Sequence, residues 1–174
     1  HMMYFNTTIG KAGAPDWQYE DYFFKELIPY IEKTYRVRTD KGGRAIAGFS
    51  MGGGAATVYG VHHPEKFSMV YDISGYLRRQ PLDFLKNDPS AEWRQTTIAD
   101  NNPITTVENG SEAQVKAWKQ VDWNIRVGDH DFTLCANMDL AKAFRNQDIP
   151  FSMYVNDGAH DMKWVQPALV DAIK

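Results

Sequence analysis

Residues 45–56 read Ala-Ile-Ala-Gly-Phe-Ser-Met-Gly-Gly-Gly-Ala-Ala, and no other stretch restricts the fold of this chain as tightly. A short apolar run, Ala45 to Ala47, ends at Gly48. Ser50 follows, then small residues, then a segment with helical character. Gly-x-Ser-x-Gly in a strand–turn–helix setting predicts a nucleophile elbow. The turn is so tight that side chains two positions either side of the serine are expected to collide, so Gly48 and Gly52 are both read as clearing it. Ser50 Oγ is then exposed at the carboxyl end of a strand, beside a helix N-terminus whose free N–H groups favour negative charge. A glycine-rich turn with no chemistry is the plainer reading of the motif, so the rest of the chain must supply partners for Ser50.

The order of elements supports the elbow. Residues 1–15 carry no periodic pattern and read as a loop. Asp16 is placed to cap a helix whose apolar face is Tyr19, Phe23, Leu27, Tyr30 and Ile31, with a bend near Pro29. After Ser50 a helix is expected to about His62, stopped by Pro64. Strands are expected at Phe67–Ile73, Trp123–Val127 and Phe151–Val155. Helices are expected at 135–147, with Leu134, Met138, Ala141 and Phe144 inward, and at 163–173. Residues 76–120 are rich in proline and polar residues, with short helical stretches near 82–86 and 112–119. They read as a lid-like insertion over the sheet end within a single domain, 1–174. Strands alternating with helices predict an α/β fold: a parallel sheet, helices on both faces and active groups at the strands' carboxyl ends.

Bulk properties narrow the function. The chain has 174 residues, enough for one domain with one core. A net charge of −3 gives no reason to expect nucleic acid or an acidic membrane as partner. No apolar run approaches the twenty residues of a membrane span. The lone Cys135 excludes an internal disulfide. His1-Met2 resembles a tag remnant, which leaves a leader peptide open. Asp129-His130-Asp131 lacks further ligands at recognisable spacing, so no metal is expected. The glycines after Ser50 lack the ending of a phosphate loop, and no cofactor is expected.

Ser50 needs a base, and the base needs an orienting carboxylate. His62 and His63 lie near a helix end, where they complement its dipole. His130 sits between two aspartates in a loop. His160, in the turn after the last strand, is best placed to reach across the sheet edge. Asp129 and Asp131 both follow the strand between nucleophile and histidine. Asp131 is preferred, because the later residue is better able to curl under His160. Asp157 and Asp161 lie too close to His160 in sequence. The order Ser, Asp, His is that of α/β-hydrolases.

Glu26–Glu32, the elbow at 44–54, His63-Pro64-Glu65-Lys66-Phe67, Gly128–Phe132 and Gly158-Ala159-His160-Asp161 together resemble the esterase D-like α/β-hydrolases. Within these the chain is most similar to carbohydrate esterase family 1, the feruloyl and acetyl-xylan esterases. The resemblance implies a catalytic triad with Ser50 as nucleophile, His160 as general base and Asp131 as its partner, and the Met51 N–H as one oxyanion donor. It implies roughly four further strands before the helix at 17–34, so the chain reads as N-terminally truncated relative to the family. The strand before Ser50 then becomes an edge, and the expectation is either a homodimer through that edge or a rearranged N-terminus covering it, to which residues 1–15 contribute. The strands that are lacking normally bring the second oxyanion donor.

The resemblance also points to the substrate. Tyr76, Trp93, Phe132 and Trp164 are candidates to line a cleft for a flat cinnamoyl group. A feruloyl ester on xylan is the first expectation, an acetyl ester on xylan the second, a small generic ester the third. The family implies a secreted or periplasmic protein engaged in xylan degradation. A non-catalytic remnant that binds carbohydrate or a partner chain is the reading of another class.

Overall fold

The computed structural model describes Tyr4, Asn6, residues 16–77, Asn87 and residues 91–173. The elements, in chain order, are α1 (Tyr19–Tyr22), a π-helical turn (Phe23–Leu27), α2 (Ile28–Thr34), a 3₁₀ turn (Lys41–Gly43), β1 (Ala45–Phe49), α3 (Met51–His62) and β2 (Met69–Ile73). Then come α4 (Ala91–Asp100), α5 (Pro103–Glu108), α6 (Glu112–Trp118), β3 (Asp122–Gly128), α7 (Leu134–Asn146), β4 (Phe151–Asn156) and α8 (Met162–Ile173). They fall into two compact units, 1–39 with 78–102, and 40–77 with 103–174. The helical stretch expected near 82–86 lies outside the described residues.

In the first unit, Asp16 does not cap the helix. Gln18 holds the cap position without a side-chain bond, and Asp16 instead accepts from the Gln18 side-chain amide. Asn6 does the anchoring: its side chain accepts from the Asp21 N–H at 3.1 Å and donates to the Asp21 carboxylate. The break expected at Pro29 falls in the turn before it, as the π-helical segment. A π turn adds a residue and shifts the phase of the helix beyond it. Tyr30 accordingly leaves the expected inner face and is exposed; Tyr19, ahead of the π turn, is exposed as well.

The second unit is built on a parallel sheet in the order β1-β2-β3-β4. Among the described residues β1 therefore lies at the sheet edge, as expected. Strand alternation divides the faces. Tyr71 and Ile73 pack with Val165 and Ala168 of α8, joined by Phe49, Met69 and Trp164. Val70 and its register partner Trp123 face the other way, where Trp123 meets Phe144 of α7 with ring centroids 4.8 Å apart. α3 lies on this second face, since a side chain at its Gly60 would strike Val70 and Trp123. Helices thus cover both faces.

The stretch expected as an insertion, 76–120, is divided between the units. Residues 103–118 belong to the body of the second: Ile104, Val107 and Trp118 are fully buried. The Trp118 indole N–H donates to the Val61 carbonyl at 2.8 Å, and the Trp123 indole to the Trp118 carbonyl at 2.9 Å. Those bonds satisfy the polar tip of each buried indole. On α7, Met138, expected inward, is 53% exposed, and Asn137 takes the inner place. The Asn137 amide donates to the carbonyls of Gly75 and Thr133, a pairing that a methionine could not make.

Candidate active site

Each strand that ends beside Ser50 delivers part of one site. Ser50 follows β1 and stands at the N-cap of α3 with φ 56° and ψ −115°. A non-glycine residue there is strained and persists only when its surroundings hold it. Three backbone bonds do so: Ser50 N–H to Ile73 O at 3.0 Å, and Gly54 N–H and Tyr76 N–H to Ser50 O at 3.0 and 2.8 Å. Gly48 is required, because a side chain there would overlap the Gly52 carbonyl. Gly52 is not: a side chain there meets nothing within 4 Å. The collision expected from both glycines comes from Gly48 alone, since the backbone of Gly52 is the obstacle.

Asp131 follows β3 and is buried. Its Oδ1 accepts the Thr133 N–H at 2.8 Å and the Thr133 hydroxyl at 2.7 Å. His160 follows β4. Its Nδ1 lies 2.8 Å from Asp131 Oδ2 and 3.0 Å from Oδ1, and its Nε2 lies 2.8 Å from Ser50 Oγ. Burial pushes the Asp131 carboxyl up. The Thr133 amide, the Ser74 and Thr133 hydroxyls and His160 together outweigh it and hold the group below the ordinary carboxylate range. Ser74 acts from a geometry short of a hydrogen bond. An ionised Asp131 accepts from Nδ1–H, which in a neutral imidazole leaves Nε2 free to accept from Ser50. The ring is wedged between Phe49 and Phe132, with centroids 4.6 and 4.5 Å away.

Asp129 has a different task. Its Oδ1 accepts the Gly158 N–H at 3.1 Å and lies 2.8 Å from His130 Nδ1. His130 N–H donates to Gly158 O, and Asp129 N–H to Asn156 O. A side chain at Gly128 would overlap the Gly158 carbonyl, so glycine lets the two loops touch. Asp129 therefore joins the loop of Asp131 to the loop of His160. The His130 ring, then the Gly158 amide, hold its carboxyl below the usual range. Asp157 comes close enough that Asp129, His130 and Asp157 are the described residues with ligand atoms gathered for a cation; all three are exposed.

The other expected residues scatter. Met51 opens α3, so its N–H is among the first-turn amides with no partner inside the helix. Tyr76 and Phe132 meet edge-on at 5.9 Å beside His160, and Phe132 is 68% exposed. Trp164 packs over Gly158 and lines a cavity of about 410 Å³ with Arg126, Asn156, Asp161 and Lys163. Trp93 belongs to the first unit, where it is buried edge-on against Trp17 at 6.0 Å. Thr133 was not anticipated, although Asp-x-Thr is a recognisable pattern for a carboxylate that turns back on its own backbone.

A family model described as "Putative esterase" matches residues 5–174. A solved ferulic acid esterase is 36% identical and superposes with a TM-score of 0.84, covering 97% of this chain and 61% of that one. An endo-1,4-beta-xylanase/feruloyl esterase of Xylanibacter ruminicola is 38% identical over 68 residues, 39% of this chain and 9% of that protein. An esterase of Mycobacterium tuberculosis is 35% identical over 72 residues, 41% of this chain and 15% of that protein. The chain thus spans less than two thirds of the length of each.

Proposed function

The chain belongs to the esterase family whose model spans residues 5–174, and we propose that it is a serine carboxylic-ester hydrolase acting through an acyl-enzyme. The observation that carries this reading is the continuous contact from Ser50 Oγ to His160 Nε2 and from His160 Nδ1 to Asp131. In the first half-reaction His160 Nε2 takes the Ser50 proton as Oγ attacks the ester carbonyl. The Met51 N–H, at the positive end of α3, holds the oxyanion. As the carbon–oxygen bond breaks, His160 returns its proton to the leaving alcohol. Water then loses a proton to His160 and attacks the acyl carbonyl; as the acyl–Oγ bond breaks, His160 returns that proton to Ser50 Oγ and the carboxylic acid is released. Asp131 stays ionised throughout and steadies the imidazolium.

The acyl group is a hydroxycinnamate, and the alcohol a sugar hydroxyl of a xylan-type polysaccharide. The similarity to a ferulic acid esterase over nearly the whole chain supports this choice, as do the aromatic faces of Phe132 and Tyr76 beside His160. The test has two parts. A fluorophosphonate probe labels the protein at Ser50 and does not label Ser50→Ala. Methyl ferulate is turned over faster than para-nitrophenyl acetate. Labelling with turnover of the acetate alone replaces the hydroxycinnamate by a small acyl group. No labelling overturns the serine mechanism.

A further inference from the structure

Asp72 lies in β2, outside the chain of contacts just described, and is about 1% exposed. Its sheet neighbours in register are Gly48 of β1 and Ile125 of β3. Side chains added at Gly53, in the first turn of α3, or at Gly75, in the loop after β2, would strike its carboxyl oxygens. These are the two segments that hold the strained Ser50, one through Gly54 N–H and one through Tyr76 N–H. Asp72 therefore fills the space between both supports of Ser50.

Proton counting around Asp72 favours the neutral form. The Thr57 hydroxyl lies 2.7 Å from Asp72 Oδ2 and 3.0 Å from the Gly53 carbonyl. A hydroxyl has one proton. If Asp72 is ionised, both neighbours are acceptors and Thr57 can serve one of them only. If Asp72 is neutral, its Oδ2–H donates to Thr57 Oγ1 and the Thr57 proton goes to Gly53 O. Both contacts are then hydrogen bonds. Oδ1 makes no full hydrogen bond, the Gly75 amide acting on the carboxyl from a geometry short of one, an arrangement costlier for a carboxylate than for the carbonyl oxygen of an acid. Burial pushes Asp72 up to about 6, with smaller opposing pulls from the Thr57 hydroxyl and the Gly75 amide. No charged group contributes to that shift; the neighbours on β1, β3 and α3 are glycine, isoleucine and threonine.

We infer that Asp72 is a positioning residue that in mildly acidic solution is a neutral carboxylic acid, passing a hydrogen bond through Thr57 to Gly53, and that its side chain fixes the turn that presents Ser50. The effect on turnover rests on the serine-esterase reading; the protonation state does not. Infrared difference spectra of wild type minus Asp72→Asn test the state directly. At about pH 5 they show the carbonyl stretch of a protonated acid, and at about pH 8 they do not. Absence of the band at the lower pH overturns the proposal whether or not the protein hydrolyses esters. Thr57→Val removes the acceptor, so the band moves to higher frequency, whereas Thr57→Ser leaves it in place; a band unmoved by Thr57→Val removes Thr57 from the relay. On the activity side, Asp72→Asn stays close to wild type while Asp72→Ala loses about tenfold to a hundredfold in kcat with KM unchanged. Equal loss in both variants means that the charge is needed, which overturns the neutral form.

Discussion

Thr133 donates both its N–H and its hydroxyl to Asp131 Oδ1, at 2.8 and 2.7 Å, on the carboxylate whose other oxygen is 2.8 Å from His160. Oδ1 is thus fixed by the residue two places on while also lying 3.0 Å from the imidazole, and Oδ2 makes the shorter contact to the ring. This makes the orientation of Asp131 a local property of its own turn. Thr133→Val keeps the shape and removes one donor. The expected result is a fall in kcat of about tenfold, a fraction of the ~10²–10⁴ that a placed general base supplies, with KM unchanged. Thr133→Ser restores the rate. Steady-state kinetics on one ester, with the three proteins side by side, checks it.

Asp129 and Asp131 are two residues apart and do different work, so their amides separate the roles. Asp131→Asn turns an acceptor toward the ring into a donor and favours the wrong tautomer of His160. A loss of ~10³–10⁴ in kcat is expected. Asp129→Asn can still accept the Gly158 N–H through its carbonyl oxygen, so it loses far less activity. Its main effect is to loosen the contact between the two loops, read as a lower midpoint of unfolding. Comparable losses of kcat in the two variants would contradict the assignment of Asp131.

Gly48→Ala and Gly52→Ala look alike in sequence and differ in space. At Gly48 the new methyl overlaps the Gly52 carbonyl, part of the backbone turn that cannot step aside. Gly48→Ala is expected to destabilise by several kcal/mol, in the range of severe single substitutions of ~4–5 kcal/mol. At Gly52, in the exposed first turn of α3, the methyl meets nothing. Gly52→Ala is expected to be stabilising by about 0.5–1 kcal/mol through the helix preference of alanine. Urea unfolding of both variants decides it.

Ser50, Asp131 and His160 were legible because each closely follows a strand, and a parallel sheet brings such positions to one end. Local chemistry sufficed for them. What was not legible depends on contacts between distant residues. Trp118 lies in a polar tract, and its burial depends on the carbonyl of Val61, 57 residues away. Asp157 reads as a turn residue, yet the fold sets it beside Asp129 and His130. Met138 has the apolar character for the inner face of α7, but Asn137 alone could bond the Gly75 carbonyl. Asp72 gives no signal, because a carboxylate in a strand reads as an outward residue until the helix packed on its own face of the sheet supplies Thr57.

The stability of the protein should carry the mark of Asp72. Its carboxyl is pushed from 3.8 to about 6 by burial, so the folded state binds its proton more tightly than the unfolded chain does. The stabilisation from this group is fully present below pH 3.8 and is lost as the pH rises through about 6. Above that range the folded protein holds a buried carboxylate with Thr57 as its hydrogen-bond donor. Asp72→Asn cannot ionise, so it escapes that loss. Two pKa units correspond to roughly 3 kcal/mol, of which roughly 2 kcal/mol falls between about pH 4.5 and about pH 8. The variant should therefore gain on wild type by roughly 2 kcal/mol when unfolding is compared at those two values. The comparison is of one difference at two pH values, so any fixed effect of the amide cancels. A gap that stays constant across the range would mean that Asp72 titrates like an exposed carboxylate, and that Thr57 and Gly53 do not hold its proton.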